Sequence, residues 1–186
     1  MKDRLCKIKM LAMDVDGTLT AGDMILFDGH QVKRFNVYDG LGTRLAMNYG
    51  LGIAWITGNT SAAVADRAKS LGVTDVYQDA RYKTEALRSL CASYSLNMDE
   101  IAYMGDDLND IPALELAGVA IAVANACDEV KERADIVTRR SGGHGAVREV
   151  IEMVLKARGE WEAAVQSFLC ELKREQQDES GPEAVA

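Results

Sequence analysis

Two short acidic segments constrain this chain more than any other feature. Asp14-Val15-Asp16-Gly17-Thr18 and Gly105-Asp106-Asp107-Leu108-Asn109-Asp110 each follow an apolar run that is typical of a buried strand. Carboxylates crowd together at strand ends only where a cation offsets their repulsion. Ligand sets made only of oxygen suit Mg²⁺, which keeps several waters and also binds phosphate oxygens. The two segments therefore predict a magnesium site and phosphoryl chemistry.

The apolar runs alternate with segments of helical period. Strands are predicted at residues 10–13, 53–56, 76–77, 101–104 and 119–123. Apolar residues recur with helical spacing in three other segments: Leu87, Leu90, Cys91 and Tyr94; Val147, Val150, Ile151 and Val154; and Trp161, Ala164, Val165, Phe168, Leu169 and Leu172. This alternation predicts an α/β fold with a doubly wound, mostly parallel, Rossmann-like sheet.

Residues 20–37 depart from this alternation. The apolar stretches 24–27 and 32–37 flank Asp28-Gly29, a dipeptide that favours a tight turn. We predict a β-hairpin over residues 20–37 that projects from the carboxyl end of the first strand. In open α/β sheets, ligands bind at that end.

Length and composition indicate one domain. The chain has 186 residues, of which 48% are hydrophobic, enough for one sizeable core and too few for two domains of ordinary size. We predict a single domain over residues 1–175. Residues 176–186 are polar and acidic and contain Gly-Pro, which favours a disordered tail.

The charge and the apolar runs exclude several classes of partner. A net charge of −8 disfavours binding to nucleic acid or to an anionic membrane. No apolar stretch is long enough to span a bilayer, and the N-terminal residues show no cleavage signal, so we expect a cytoplasmic protein. The four cysteines are far apart and there are two histidines, which disfavours a zinc site and a disulfide framework.

The first acidic segment contains two candidate catalytic groups. Asp14 is a carboxylate able to attack phosphorus and form an aspartyl-phosphate. Asp16 lies on the same side of an extended chain, where it can protonate the leaving oxygen and then deprotonate the attacking water. The alternative is an Asp-Gly turn with solvated carboxylates.

Residues on later segments complete the candidate site. Asp106 would bind the metal together with Asp14, and Asp107 and Asp110 would orient metal-bound waters. The alternative for these aspartates is capping of a helix N-terminus. The candidate phosphate-binding residues are Thr57, Gly58 and Asn59, which follow a strand and precede a predicted helix, and Lys83. The alternatives are that Thr57 or Thr60 is a plain helix N-cap and that Lys83 is a solvated lysine at a helix start.

These segments resemble four motifs of the haloacid dehalogenase superfamily. Asp14 to Thr18 resemble the first, Thr57-Gly58 the second, Lys83 the third, and Gly105 to Asp110 the fourth, in the family's order. The resemblance implies a Mg²⁺-dependent phosphatase. It also implies that the backbone carbonyl of Asp16 is a metal ligand.

Cap domains, which many members insert over the site, have no room in this chain. Segments such as Phe35-Asn36-Val37-Tyr38-Asp39-Gly40 and residues 142–149 resemble a capless family, the 3-deoxy-D-manno-octulosonate 8-phosphate phosphatases, over roughly residues 8–157. The resemblance implies removal of phosphate from this lipopolysaccharide precursor. It also implies a homotetramer whose hairpins pack together and whose subunits complete each other's sites. The residues matching substrate contacts are Phe35, Asn36, Val37, Tyr38, Asp39, Arg67 and Lys83.

Two positions differ from that family's usual pattern. Asn59 and Tyr38 stand where the family usually has arginine, the residue that holds carboxylates bidentately. We predict that Arg34, Arg44, Arg67 or Arg81 compensates, and the alternative substrates are a nine-carbon sugar-acid 9-phosphate or another small phosphosugar. Residues 142–145 are either a lip over the pocket or a plain glycine-rich turn.

Two other function classes share part of this residue pattern. A receiver-like phospho-switch also combines strand-end carboxylates with Thr, Lys and Mg²⁺, but it has no need for an acid at Asp16. A silent interaction scaffold would not need a competent residue at every motif position.

Overall fold

The computed structural model describes residues 1–28 and 30–179. Within them the strands are β1 (Met10–Met13), β2 (Ile25–Phe27), β3 (His30–Val32), β4 (Gly52–Ile56), β5 (Asp75–Tyr77), β6 (Ile101–Gly105), β7 (Val119–Ala122) and β8 (Ile136–Val137). The helices are α1 (Lys2–Lys7), α2 (Val37–Asn48), α3 (Ala62–Leu71), α4 (Lys83–Tyr94), α5 (Ile111–Leu116), α6 (Asp128–Lys131), α7 (Ala146–Arg158) and α8 (Trp161–Glu179). Single 3₁₀ turns lie at Met98–Glu100 and Leu108–Asp110.

The main sheet has six strands in the order β5-β4-β1-β6-β7-β8. Every neighbouring pair is parallel, and β1 pairs with β4 on one side and with β6 on the other. Strand order therefore reverses at β1, and right-handed crossovers place the helices of the two halves on opposite faces of the sheet. The predicted doubly wound α/β fold is confirmed, and its ligand crevice is expected at the carboxyl ends of β1 and its neighbours.

The central strands are apolar because both faces of the sheet are covered. All residues of β1, β6 and β7 are buried. Parallel pairing aligns Met13 at the end of β1 with Trp55 and Met104. The residues that follow each strand are consequently brought to one edge.

The predicted hairpin is present, but its second strand lies elsewhere. β2 and β3 pair antiparallel, with Ile25 opposite Val32. The predicted strand over residues 32–37 is wrong because Asn36 caps α2, accepting a hydrogen bond from the Tyr38 backbone N–H at 2.8 Å, so the chain turns into a helix at Val37. Asp28 has the positive φ of the predicted turn, 47°, and Gly29 lies outside the described residues.

The connections leave little material above the sheet. The hairpin is the regular structure between β1 and α2, and α3 is the element between β4 and β5. Among the described residues there is thus no inserted cap domain, as predicted. Among the described residues, the site is bordered by loops of this chain and by the hairpin.

Both ends of the chain differ from the sequence-based expectation. At the N-terminal end, helix α1, which was not predicted, precedes β1. Its Arg4 guanidinium donates to both carboxylate oxygens of Asp135, just before β8, at 2.7 and 2.8 Å. Helix α8 continues to Glu179, so the predicted tail is wrong for residues 176–179. Gln and Glu are good helix formers and extend a helix that is already nucleated. Residues 180–186 lie outside the described part of the chain.

Helix α8 packs only along its beginning. Ala164 is fully buried, whereas Leu169 and Leu172 are 43% and 40% exposed. No helix in residues 1–28 and 30–179 combines the length and the apolar character needed to cross a bilayer.

Candidate active site

Asp14 lies at the centre of the site, directly after β1. Its backbone N–H continues the parallel ladder to the Met104 carbonyl at 3.0 Å, which holds the residue rigidly at the strand end. The side chain is 6% exposed. Lys83, at the start of α4, donates from Nζ to Asp14 Oδ1 at 2.7 Å. A buried carboxylate therefore faces the crevice with a cation beside it.

The carboxylate of Asp110 is fixed on both oxygens. Oδ1 accepts from Lys83 Nζ and from the Tyr103 hydroxyl, each at 2.6 Å. Oδ2 accepts from the backbone N–H groups of Asp106 and Asp107 at 3.0 and 3.2 Å. Asp110 therefore orients Lys83 and the loop after β6.

Asp106 reaches toward Asp14 from the end of β6. Its Oδ1 accepts from the Thr18 hydroxyl at 2.9 Å. A Cβ on Gly17 would lie 2.0 Å from Asp106 Oδ2, and Gly17 has a φ of +98°. Both the close approach and the backbone conformation require glycine there. This is the physical reason for the Asp-Gly pair in the first acidic segment.

Three carboxylates converge in this crevice. Oxygen atoms of Asp14, Asp106 and Asp110 lie within 4.8 Å of one another. Burial raises the pKa of Asp14 to about 6, partly offset by Lys83, and burial together with the charges of Asp14 and Asp110 raises the pKa of Asp106 to about 7. Burial lowers the pKa of Lys83, but attraction to Asp110 and Asp14 outweighs it and the net shift is upward. The charge balance and the oxygen donors fit a divalent cation.

The carboxylate of Asp16 lies apart from this cluster. Its Oδ1 accepts from Lys33 Nζ, and its Oδ2 accepts from Asn59 Nδ2 at 3.1 Å. The Lys33 side chain is 2% exposed and follows β3 directly. The sequence analysis missed Lys33 because nothing in the local pattern shows that the hairpin folds back onto the first segment.

The segment Thr57 to Asn59 forms a turn after β4. Thr57 is buried, and its Oγ1 accepts from the Asn59 backbone N–H at 3.2 Å. Gly58 is exposed, with nothing within 4 Å of the position of a Cβ. The predicted order of strand, turn and helix is confirmed, but the helix starts further on, because Ser61 is the N-cap and α3 begins at Ala62. An anion at this turn would meet single N–H groups and no helix terminus.

Asp107 caps the 3₁₀ turn Leu108–Asp110, which was the alternative to its predicted role at the metal site. It is exposed, and its Oδ1 accepts from the Leu108 backbone N–H at 2.8 Å as the N-cap of the following 3₁₀ turn. The water-orienting role predicted for Asp107 stays a prediction, and in this structure its carboxylate contacts the neighbouring backbone.

The residues matched to substrate contacts divide into two groups. Val37 and Tyr38 are 74% and 62% exposed at the start of α2. Phe35 instead stacks on Trp55, with ring centroids 6.3 Å apart. Asp39 is 1% exposed and accepts from the Arg148 backbone N–H at 2.8 Å, so it ties α2 to α7. The substrate contact predicted for Asp39 stays a prediction, and in this structure its carboxylate lies between the two helices.

Arg67 and Asn36 also have structural partners. The Arg67 guanidinium lies over Gly40 of α2, so close that a Cβ on Gly40 would meet it. Asn36 caps α2 and donates from Nδ2 to the Gly143 carbonyl at 3.3 Å.

Asn125, which was not predicted as a site residue, holds the loop after β1 in place; residues 14–18 of this loop are called the catalytic loop below. Asn125 Nδ2 donates to the Gly17 carbonyl at 3.0 Å, and Asn125 Oδ1 accepts from the Gly142 N–H at 2.6 Å. The Gly143 N–H donates to the Thr18 carbonyl at 3.2 Å. Residues 142–143 therefore pack directly on the catalytic loop. An Asn soon after the apolar run at 119–123 was the available signal.

Comparison with known proteins agrees with this architecture. The haloacid dehalogenase-like hydrolase family matches residues 54–151. The 3-deoxy-D-manno-octulosonate 8-phosphate phosphatase KdsC of Escherichia coli (strain K12) is 41% identical over 158 residues, which cover 84% of each chain. The relative of that name from Yersinia pestis is 38% identical over 162 residues, 87% of each chain.

Solved structures show the same fold. The crystal structure of the Yersinia pestis 3-deoxy-D-manno-octulosonate 8-phosphate phosphatase has a TM-score of 0.85 at 38% identity and covers 87% of this chain and 88% of its own. That of the Moraxella catarrhalis enzyme in complex with magnesium ion, phosphate ion and KDO has a TM-score of 0.87 at 40% identity, over 90% and 97% of the two chains. This chain therefore belongs to the haloacid dehalogenase-like hydrolases, in the family of the 3-deoxy-D-manno-octulosonate 8-phosphate phosphatases.

Proposed function

We propose that this chain hydrolyses a phosphate monoester through an aspartyl-phosphate on Asp14. The observation that supports it most is the buried Asp14 carboxylate, held at a strand end by Lys83 at 2.7 Å and faced by Asp106. An aspartate so oriented can attack phosphorus in line, and a second displacement by water releases phosphate. Lys83 orients the nucleophile and offsets the charge of the incoming phosphate.

Asp16 acts as the general acid and then as the general base. Its carboxylate is partly exposed at the crevice and is oriented by Lys33 and Asn59. It protonates the leaving sugar oxygen in the first step and removes a proton from the attacking water in the second. This pairing disfavours a receiver-like phospho-switch, which would need no acid there.

The carboxylates of Asp14 and Asp106 would hold Mg²⁺, together with the backbone carbonyl of Asp16 that the family resemblance implies as a ligand. When bound, Mg²⁺ would offset the repulsion between the Asp14 carboxylate and the phosphate dianion. Asp110 positions the ligands through its four hydrogen bonds, whereas Asp107 shapes the loop. The Moraxella relative was crystallised with a magnesium ion, which supports the choice of metal.

The phosphate is bound by the turn after β4 and by Lys83. Gly58 leaves room for an anion at this turn, where its own N–H can donate, whereas the Asn59 N–H already donates to Thr57 Oγ1.

We propose 3-deoxy-D-manno-octulosonate 8-phosphate as the substrate. The relatives at 38–41% identity are named for this activity. A nine-carbon sugar-acid 9-phosphate is the second candidate, because Tyr38 and Asn59 alter the edge of the site where the sugar would lie.

We further propose that the protein is a homotetramer. The hairpin exposes Met24 (70%), Leu26 (70%), Phe27 (72%), Ile25 (45%) and Val32 (43%). A two-stranded element with so much exposed apolar surface is marginal by itself, and packing against copies from other subunits would cover it. The same contact would complete the crevice beside Asp16.

The covalent step can be tested directly. The wild-type protein, mixed with ³²P-labelled substrate and Mg²⁺ and quenched in acid within milliseconds, should retain label on the polypeptide. Asp14→Asn should retain none, whereas Asp66→Asn, an exposed aspartate on α3, should match the wild type. Label on Asp14→Asn would rule out this nucleophile.

A further inference from the structure

A cleft of about 530 Å³ opens beside the catalytic loop, and most of its lining has no role in the phosphoryl chemistry. Its volume is within the range of small-molecule sites. The lining residues are Asn36, Tyr38, Arg140, His144, Arg148 and Glu152.

The cleft adjoins the proposed reaction centre through the loop that contains His144. Gly142 of this loop packs on the Gly17 carbonyl, and the Gly143 N–H donates to Thr18. Asn36, on the cleft wall, donates to the Gly143 carbonyl at 3.3 Å. The cleft wall is therefore linked to the loop after β1 through residues 142–143, and a substrate whose phosphate lies at Asp14 would extend past this loop to place its far end in the cleft.

Most charges in the cleft are already paired. Glu152 accepts from Arg148 Nε and from Lys156 Nζ, each at 2.9 Å. The Arg148 guanidinium also lies over the Trp161 ring, 4.9 Å from its centroid. These contacts hold Arg148 and Glu152 in place and nearly neutralise that wall of the cleft.

Arg140 is different. It is exposed, and within residues 1–28 and 30–179 no carboxylate lies within ion-pair distance of its guanidinium. Its backbone N–H donates to Glu149 at 3.0 Å, which fixes the position of the residue. Asp39 lies nearby but is buried and bonded to the Arg148 backbone. The charges of Arg140 and Asp39 interact electrostatically, but the Arg140 guanidinium has no ion pair among the described residues and lies at the wall of the cleft.

The chain needs such a cation if its substrate is a sugar acid. The two positions where the family usually has arginine are Tyr38, which lines this cleft, and Asn59, whose amide is bonded to Asp16. The sequence-based candidates Arg34, Arg44, Arg67 and Arg81 are absent from the cleft lining. An octulosonate 8-phosphate has its carboxylate at the opposite end of the carbon chain from its phosphate.

We propose that Arg140 binds the substrate carboxylate in this cleft and so selects sugar-acid phosphates over neutral phosphosugars. The planar guanidinium matches a carboxylate with two parallel hydrogen bonds. His144, whose ring is oriented by a 2.9 Å contact between Nδ1 and the Gly142 carbonyl, forms the neighbouring edge. This inference rests on the proposed function, since it names which part of the substrate the cleft holds.

The kinetic test compares Arg140→Gln with Arg139→Gln. Arg139 is the adjacent residue, but its side chain is 90% exposed and pairs with Glu149 at 3.2 Å. With 3-deoxy-D-manno-octulosonate 8-phosphate, Arg140→Gln should raise KM about 10- to 100-fold with little change in kcat. KM for D-arabinose 5-phosphate, which lacks a carboxylate, should stay within twofold, and Arg139→Gln should match the wild type on both. Equal effects of Arg140→Gln on both substrates would overturn the proposal.

A binding measurement separates this inference from the phosphatase assignment. Titration calorimetry with free 3-deoxy-D-manno-octulosonate and with its methyl ester needs no turnover. The wild type and Arg139→Gln should bind the acid more tightly than the ester, and Arg140→Gln should bind both equally weakly. If the acid binds in this way but its 8-phosphate is not hydrolysed, the carboxylate site stands and the substrate assignment fails. If the 8-phosphate is hydrolysed but Arg140→Gln binds the acid as the wild type does, the carboxylate site is wrong.

Discussion

Lys33 donates a hydrogen bond to the carboxylate of Asp16, and its side chain is buried to 2% exposure in doing so. Lys33 directly follows the hairpin, whereas Asp16 belongs to the catalytic loop after β1. The position of the hairpin is therefore linked to the orientation of the proposed acid. Asn59 completes the arrangement from the turn after β4.

The first prediction follows from that contact. Lys33→Met frees the Asp16 side chain and should lower kcat roughly tenfold or more for sugar phosphates, which need a proton on the leaving oxygen. The loss should be much smaller for 4-nitrophenyl phosphate, whose leaving group needs none. Steady-state kinetics of both substrates, with the exposed Lys69→Met as the control, test this. Equal losses on the two substrates would show that Lys33 does not act through Asp16.

A second prediction concerns the metal-free carboxylate cluster. The pKa values of Asp106 and Asp14 are raised to about 7 and about 6 from 3.8, so the folded state binds more protons than the unfolded state between about pH 4 and pH 7. The free energy of unfolding should therefore fall as pH rises, by about 4 kcal/mol between pH 5 and pH 8, because Asp106 loses stabilisation over about two pH units and Asp14 over about one, at about 1.4 kcal/mol per unit. Urea denaturation in chelator at pH 5 and pH 8 measures the difference.

The variant Asp106→Asn tests whether the raised carboxylate pKa values cause this pH dependence of stability. It removes a buried charge and should make the chelated protein more stable than the wild type at pH 8, while abolishing stabilisation by Mg²⁺. Asp135→Asn is the control, and its effect on stability should have the opposite sign. The hydrogen bond from Arg4 holds the pKa of Asp135 below its usual value, so losing this carboxylate should lower the free energy of unfolding. A wild type that is more stable at pH 8 than at pH 5 in chelator would contradict the account.

Lys83 provides a third prediction. Its Nζ lies between Asp14 and Asp110 with the side chain 2% exposed. Lys83→Met leaves both carboxylates without their cation and should lower the free energy of unfolding by about 3–5 kcal/mol without Mg²⁺. The double variant Lys83→Met, Asp110→Asn should regain part of that loss, and Lys69→Met should lose little. If Lys83→Met alone is as stable as the wild type, the ion pairs of Lys83 with Asp14 and Asp110 contribute nothing to the free energy of unfolding.

A fourth prediction tests assembly. Charged residues in place of Ile25 and Phe27 should dissociate the oligomer, reduce activity and leave the subunit folded, because both side chains are exposed in the isolated chain. The matched control is Leu169→Glu with Leu172→Glu, a pair on α8 that is 43% and 40% exposed. Sedimentation velocity measures the mass in solution, and a phosphatase assay measures the activity of the same samples. A wild-type monomer with full activity would refute the subunit as a cover for the site.

The sheet and the acidic edge were predictable because their signals are local. Apolar runs at β1, β4 and β6 indicate strands, and parallel pairing places Asp14 and Asp106 side by side without further information. The contacts of Lys33 and Asn125 were not predictable, since each joins separate segments of the chain. The contact of Asp39 was not predictable for the same reason: its partner, the Arg148 backbone, lies in α7, 109 residues away.

Short elements were also beyond local reasoning. The apolar pattern at residues 32–37 favours a strand, but a single hydrogen bond from Tyr38 N–H to Asn36 starts a helix instead. At the other end, the cooperativity of α8 extends the helix into residues whose composition favours disorder.

The most direct test of the central claim is phosphate release from 3-deoxy-D-manno-octulosonate 8-phosphate by the wild type and Asp14→Asn, each with Mg²⁺ and with excess chelator. We expect rapid release by the wild type with Mg²⁺ and none in chelator. Asp14→Asn should lose more than about 10³-fold, because an amide cannot form the covalent intermediate that lowers a very high barrier. An Asp14→Asn protein that keeps a tenth of the wild-type rate, or full activity in chelator, would contradict the account.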